Sequence, residues 1–154
     1  MAASSQGGDI NDGSFVLLYR SSGGKILLPG DAHDATWEYV LKHYEQDVAN
    51  CSVMIAPHHG RDSDRSFEFL DKIKPKLTLF GCAPSQYLAY DAWNRRKLDF
   101  ITSNQAGNIV LEINPGSIDV YIENETFAAA KGADCSIKNS QGYVGLWNIL
   151  ETQE

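Results

Sequence analysis

The sequence predicts an α/β fold, a mixed β-sheet with helices on one face, and three observations carry that expectation. Two apolar runs of strand length, KILLP at residues 25–29 and SVMIA at 52–56, lack the strict alternation of a half-solvated strand and suit strands inside a layered fold. Between them Trp37, Val40, Leu41 and Tyr44 follow the i, i+3, i+4, i+7 spacing of an amphipathic helix. A strand, helix, strand unit closes by a right-handed crossover, which brings both strand ends to one edge of the sheet. Asp31, His33 and Asp34 follow the first run, and His58 and His59 follow the second. Asp31 and His58, 27 positions apart, are therefore expected to be neighbours at the edge where α/β folds place their chemistry.

In chain order, residues 1–13 have the Gly, Ser, Asn and Asp content of a flexible N-terminus, and residues 14–154 are expected to form a single domain. SFVLLYR at 14–20 is a strand, SSGG a hairpin connection, and 25–29 its partner strand. The central helix and the 52–56 strand come next, then the loop HHGRDSD and a short helix with Phe67, Leu70 and Ile73 on one side, stopped by Pro75. A fourth strand spans 77–80, and a helix over 87–97 turns Tyr87, Tyr90 and Trp93 inward. Strands at 99–102 and 108–113 flank the turn SNQAG, and the turn signal NPGS precedes a strand at 118–122. Residues 128–142 have turn composition, and 143–150 is the last strand.

With 154 residues and 43% hydrophobic content, the chain is long enough for one real core and short for two. It contains no run of about 18 apolar residues to span a bilayer, and its start lacks the basic flank and apolar stretch of a signal peptide. No membrane association and a cytoplasmic location are the expectations. Three widely spaced cysteines without a CxxC read as buried small hydrophobes. A net charge of −7 opposes nonspecific attraction to a polyanion.

A carboxylate and imidazoles at adjacent strand ends are hard-to-borderline ligands suited to zinc, manganese or iron. Asp31, after the tight turn that Gly30 allows, is either such a ligand or a helix N-cap. Adjacent His58 and His59 ahead of Gly60 are hard to read as core residues, since two buried imidazoles would both need partners. Arg61 could meet an anionic substrate group or stand in solvent. Asp34 is the better cap candidate, His33 a surface residue of the turn, and His43 solvent-facing on the helix. Ser63, Asp64 and Ser66 read as caps, and Arg95, Arg96 and Lys97 as the wet end of a helix.

Taken together, Asn11-Asp12-x-Ser14 with its apolar strand, LLPGD ending at Asp31, APHHG ending at Gly60, FLDKIKPKLTLF, Thr102 and AGNIVLEI resemble the later half of a metallo-β-lactamase-fold domain of the ComEC competence-protein type, over residues 11–113. The resemblance implies a metal-dependent hydrolase of phosphodiesterase or nuclease type. Asp31 matches the carboxylate that bridges two metals, usually zinc, and His58 or His59 matches the imidazole on the second; the catalytic residues would be Asp31, His58 and His59. Two metals suit hydrolysis because they acidify a shared water and neutralise charge on the phosphoryl oxygens. The family's HxHxDH motif does not occur in this sequence, so at most half of a binuclear site is present, and zinc or manganese should bind weakly or partially. The same gap implies half of an αββα sandwich, with an apolar sheet face left for a complementary half-domain or a homodimer. The alternative is a noncatalytic interaction or regulatory module that retains the fold.

Overall fold

The computed structural model describes residues 10–151. Strand β1 (Leu17–Ser21) and strand β2 (Gly24–Leu28) form an antiparallel hairpin with Leu17 opposite Leu28 and Tyr19 opposite Ile26. The Ser21 hydroxyl donates to the Gly24 carbonyl at 2.8 Å and closes the turn. Helix α1 (Asp34–Val48) leads to β3 (Val53–Ile55), which pairs parallel to β2 with Ile26 opposite Val53. Helix α2 (Leu70–Ile73) and β4 (Leu77–Phe80), then helix α3 (Tyr90–Asn94) and β5 (Phe100–Thr102), repeat that step. The result is a five-stranded mixed sheet in the order β1-β2-β3-β4-β5, parallel except for its first strand. The α/β expectation holds at this level.

The rest of the chain forms a second layer. Helix α4 (Ser103–Ala106) leads to β6 (Ile109–Asn114) and β7 (Ser117–Ile122), and helix α5 (Glu125–Ala130) to β8 (Val144–Leu150). Strands β6, β7 and β8 make an antiparallel sheet of their own. The period-two pattern of β7 packs Ile118, Val120 and Ile122 against Ile26, Val53, Leu77, Leu79 and Ile101 of the first sheet. On the opposite face Leu27, Met54 and Phe80 meet Trp37, Val40, Leu70, Ile73 and Trp93 from the helical side. Each large side chain buried this way contributes roughly 1.5–3 kcal/mol. Trp93 Nε1 also donates to Thr78 Oγ1 at 2.8 Å, so its one polar atom is satisfied in the core.

This architecture corrects the expectation of an uncovered sheet face. The chain's own C-terminal sheet lies on it, because the tail strands alternate and need an apolar surface to bury one face. Apolar side chains are also exposed along the hairpin edge, where Phe15 is 75% exposed, Leu17 65%, Tyr19 53% and Leu28 39%.

Smaller corrections have local causes. Residues 1–9 of the expected flexible N-terminus lie outside the described residues, whereas Ile10–Gly13 form a 3-10 turn tied to α1, the Thr36 hydroxyl donating to the Asp12 carbonyl at 2.9 Å. SNQAG, expected as a turn, is a short helix over Ser103–Ala106, capped by Thr102 Oγ1, which accepts from Gln105 N at 3.2 Å. The 87–97 helix shrinks to α3 because Leu88 is drawn into a bridge with Arg61; Tyr87 is exposed, while Tyr90 stacks on Phe80 and Phe100. Tyr44 leaves the helical conformation and is exposed. Residues 128–130, expected as turn, belong to α5. All three cysteines are free, but only Cys51 is buried; Cys82 is exposed. Among the described residues no helix is long and apolar enough to cross a membrane.

Candidate functional site

Two loops at the carboxyl ends of β2 and β3 are joined by their backbones. Gly30 takes a left-handed φ of 56° directly after β2, and its carbonyl accepts from His58 N at 3.0 Å. The crossover inferred from sequence thus brings the GD and HHG segments into contact. The HHG segment itself is unusual backbone, with His58 at φ 49°, His59 at φ 61° and Gly60 at φ 88°. Of the eight non-glycine residues with positive φ among those described, five (His58, His59, Ser63, Asp64 and Phe67) fall within residues 58–67, which marks this loop as the most strained part of the chain.

Close packing holds the strain in place. A Cβ on Gly60 would come within 2.5 Å of the Phe80 ring, and one on Gly81 within 2.7 Å of His59 Nδ1. Both positions therefore require glycine, and His59 lies against the end of β4. Gly81 N donates to the His59 carbonyl at 3.1 Å, Ala89 N to Gly60 at 2.9 Å, and Asp62 N to Tyr87 at 3.0 Å. The Trp37 ring, stacked on Phe69 at 4.2 Å, holds α1 beneath the same loop.

Arg65, a residue that the motif reading passed over, is at the centre of this arrangement. It is only 5% exposed. Its Nε donates to the Ala32 carbonyl at 3.1 Å and its Nη2 to the Asp31 carbonyl at 2.8 Å, while Nη1 lies 3.2 Å from His58 Nδ1. A buried guanidinium is tolerable only when its donors are occupied in this way. No local signal in DSDRS reveals it, since the two carbonyls it binds lie 33 and 34 positions back. Ser63 Oγ, expected as a cap, is 3.3 Å from the same His58 nitrogen.

Desolvation pulls the His58 pKa below the usual imidazole value, and the charges of Arg65 and Arg61 and neighbouring His59 lower it further; the Asp31 carboxylate opposes them. Asp31 itself is half-buried, its carbonyl accepting from Arg65 Nη2. His59 is exposed. Arg61 is half-buried and its Nε is shielded from solvent without an acceptor. Asp34 does not cap α1; its carboxylate accepts from Ser66 N and Oγ, both at 3.2 Å, and His33 is the N-cap residue, its Nε2 bonded to the Ser63 carbonyl at 3.3 Å. His43 stands exposed against the Tyr39 ring. Arg96 forks onto the Asp71 carboxylate at 2.7 and 2.9 Å and so is a structural ion pair.

As donors for a divalent cation, the Asp31 carboxylate and an imidazole of the HHG pair are of the right chemical kind. They do not close a coordination shell: among the described residues no three His, Cys, Asp or Glu side chains are grouped to hold a metal. A separate groove of about 850 Å³ lies between β1 and α1, lined by Phe15, Val16, Leu18, Tyr39 and Tyr44, with Arg20 and Asp47 paired across it. No family model, curated protein or solved structure matches this chain.

Proposed function

We propose that this chain is the Asp31- and histidine-bearing part of a metal-dependent hydrolase of the metallo-β-lactamase type, acting on phosphodiesters and catalytically poor by itself. The observation that carries the reading is the hydrogen bond from His58 N to the Gly30 carbonyl, 3.0 Å, which sets the GD and HHG segments side by side at the carboxyl ends of parallel strands. Zinc or manganese would be held by Asp31 and one imidazole of the His58–His59 pair, with the remaining ligands supplied by a complementary half-domain or a second copy. When bound, the metal supplies an acidified water and neutralises charge on phosphoryl oxygens. The chain's own residues bind and orient: Arg61, half-buried directly after the HHG segment, meets a phosphoryl oxygen, and Arg65 keeps the Asp31 loop against His58.

The test is metal uptake together with turnover. Elemental analysis under saturating zinc should find partial occupancy that disappears in the Asp31→Ala/His58→Ala double variant. Turnover of a nitrophenyl phosphodiester by the isolated chain should be negligible with zinc or manganese. No zinc at all in the intact chain would reject the ligand cluster, and robust turnover would show that the site is complete.

A second reading has its own support. Two arginines beside the HHG segment, Arg61 following it and Arg65 in contact with His58 Nδ1, suit a noncatalytic module that takes an anionic group without metal. Titration with inorganic phosphate in the presence of a chelator separates the two: saturable binding lost in Arg61→Ala favours the module.

A further inference from the structure

We infer that Arg65 is a positioning residue that decides what kind of ligand His58 can meet. A guanidinium has only donors and stays charged at every accessible pH. Its Nη1, 3.2 Å from His58 Nδ1, can therefore hydrogen-bond that ring nitrogen only where the nitrogen carries no proton. The single proton of the neutral ring then sits on Nε2. Ser63 Oγ, 3.3 Å from the same Nδ1, can rotate its own proton toward it and reinforce the arrangement. The other nitrogen of the half-buried His58 ring is thus an N–H donor, which suits a phosphoryl or carboxylate oxygen and repels a cation.

The arginine cannot turn aside cheaply. It is 5% exposed, and its Nε and Nη2 are committed to the Ala32 and Asp31 carbonyls at 3.1 and 2.8 Å. Releasing it leaves a buried charge and two carbonyls short of partners. A divalent ion on His58 Nε2 needs the ring proton moved to Nδ1, directly against Nη1. While Arg65 stays, metal is barred from His58 and only His59 of the pair is left to ligate. This consequence rests on reading the cluster as a ligand site; the tautomer itself does not.

The tautomer is read by ¹⁵N NMR of the imidazole nitrogens at a pH above the ring's titration, with His58→Gln to assign the signals. The expected result is His58 as the Nε2–H form alone, its signals unmoved by one equivalent of zinc. In Arg65→Gln, with its fold checked by amide dispersion, zinc should shift the His58 signals and bind about ten-fold tighter. An Nδ1–H ring donating to Ser63 overturns the inference, and so does a zinc shift at His58 with Arg65 in place. If Arg65→Gln does not fold, the tautomer and the zinc response of the unaltered chain decide alone. Failure of the hydrolase reading looks different: no zinc taken up anywhere, with the tautomer unchanged.

Discussion

Cys51 and Cys82 have opposite surroundings, and their reactivity follows from them. Burial pushes the Cys51 thiol up to about 12, with the nearby Lys25 ammonium offsetting only part of the shift. The thiolate is the reactive form, so a buried thiol that ionises so late is inert. Cys82 is exposed. At pH 8 an aromatic disulfide reagent should label Cys82 in the native chain and reach Cys51 only after denaturation; native labelling of Cys51, read by peptide mass, would contradict this. Two glycines make a second residue-level prediction. Gly60→Ala must hold φ 88° and force a Cβ to within 2.5 Å of the Phe80 ring, and should cost roughly 1–3 kcal/mol in urea unfolding. Gly116→Ala has a similar φ, 80°, but meets nothing within 4 Å, so a comparable loss there would show that backbone strain alone, not packing under β4, accounts for the effect.

At the scale of elements, β7 and β1 show how one apolar residue type can matter greatly or hardly at all. Ile118 is 0% exposed between the two sheets, and Ile118→Ala should cost about 2–5 kcal/mol and raise binding of an apolar dye. Leu17, 65% exposed at the hairpin edge, should tolerate serine within about 0.5 kcal/mol. Equal losses at the two positions would mean that the edge of β1 is covered in solution, as a complementary chain or second copy would cover it. The 57–67 loop is the opposite kind of element: few of its residues have helical or strand backbone, and it is held by Arg65, two glycines and the bridge from Arg61 to Leu88.

For the whole molecule, charge sets the interaction with nucleic acid. At −7 the net charge opposes a polyanion, and Arg96 and Arg20 are already tied to Asp71 and Asp47. Fluorescence anisotropy with a labelled DNA duplex should give affinity near roughly 10⁻⁴ to 10⁻⁶ M or weaker, falling steeply with salt. A tight complex that ignores salt would favour a recognition module over the hydrolase reading. The covered sheet face also changes the assembly argument, because an obligatory partner is no longer demanded by the core. What remains for a partner is the strip at Phe15, Leu17 and Tyr19.

What the sequence determined by itself was the local order. The runs SFVLLYR, KILLP, SVMIA and LTLF, the Trp37–Val40 helix face and the final strand at 143–150 are written in short-range periodicity and turn chemistry, which act between residues a few positions apart. The meeting of the GD and HHG segments was legible too, because a strand, helix, strand unit pairs its strands in parallel and so sets both carboxyl ends at one edge. Tertiary structure alone decided three things: that β6 to β8 leave the first sheet and cover it, that Leu88 is pulled out of its helix to pair with Arg61, and that Arg65 joins Asp31, Ala32 and His58. In each case the choice falls to desolvation and hydrogen bonding between segments distant in sequence, Leu88 and Arg61 being 27 positions apart and Arg65 and the Ala32 and Asp31 carbonyls 33 and 34, which no short window of sequence contains.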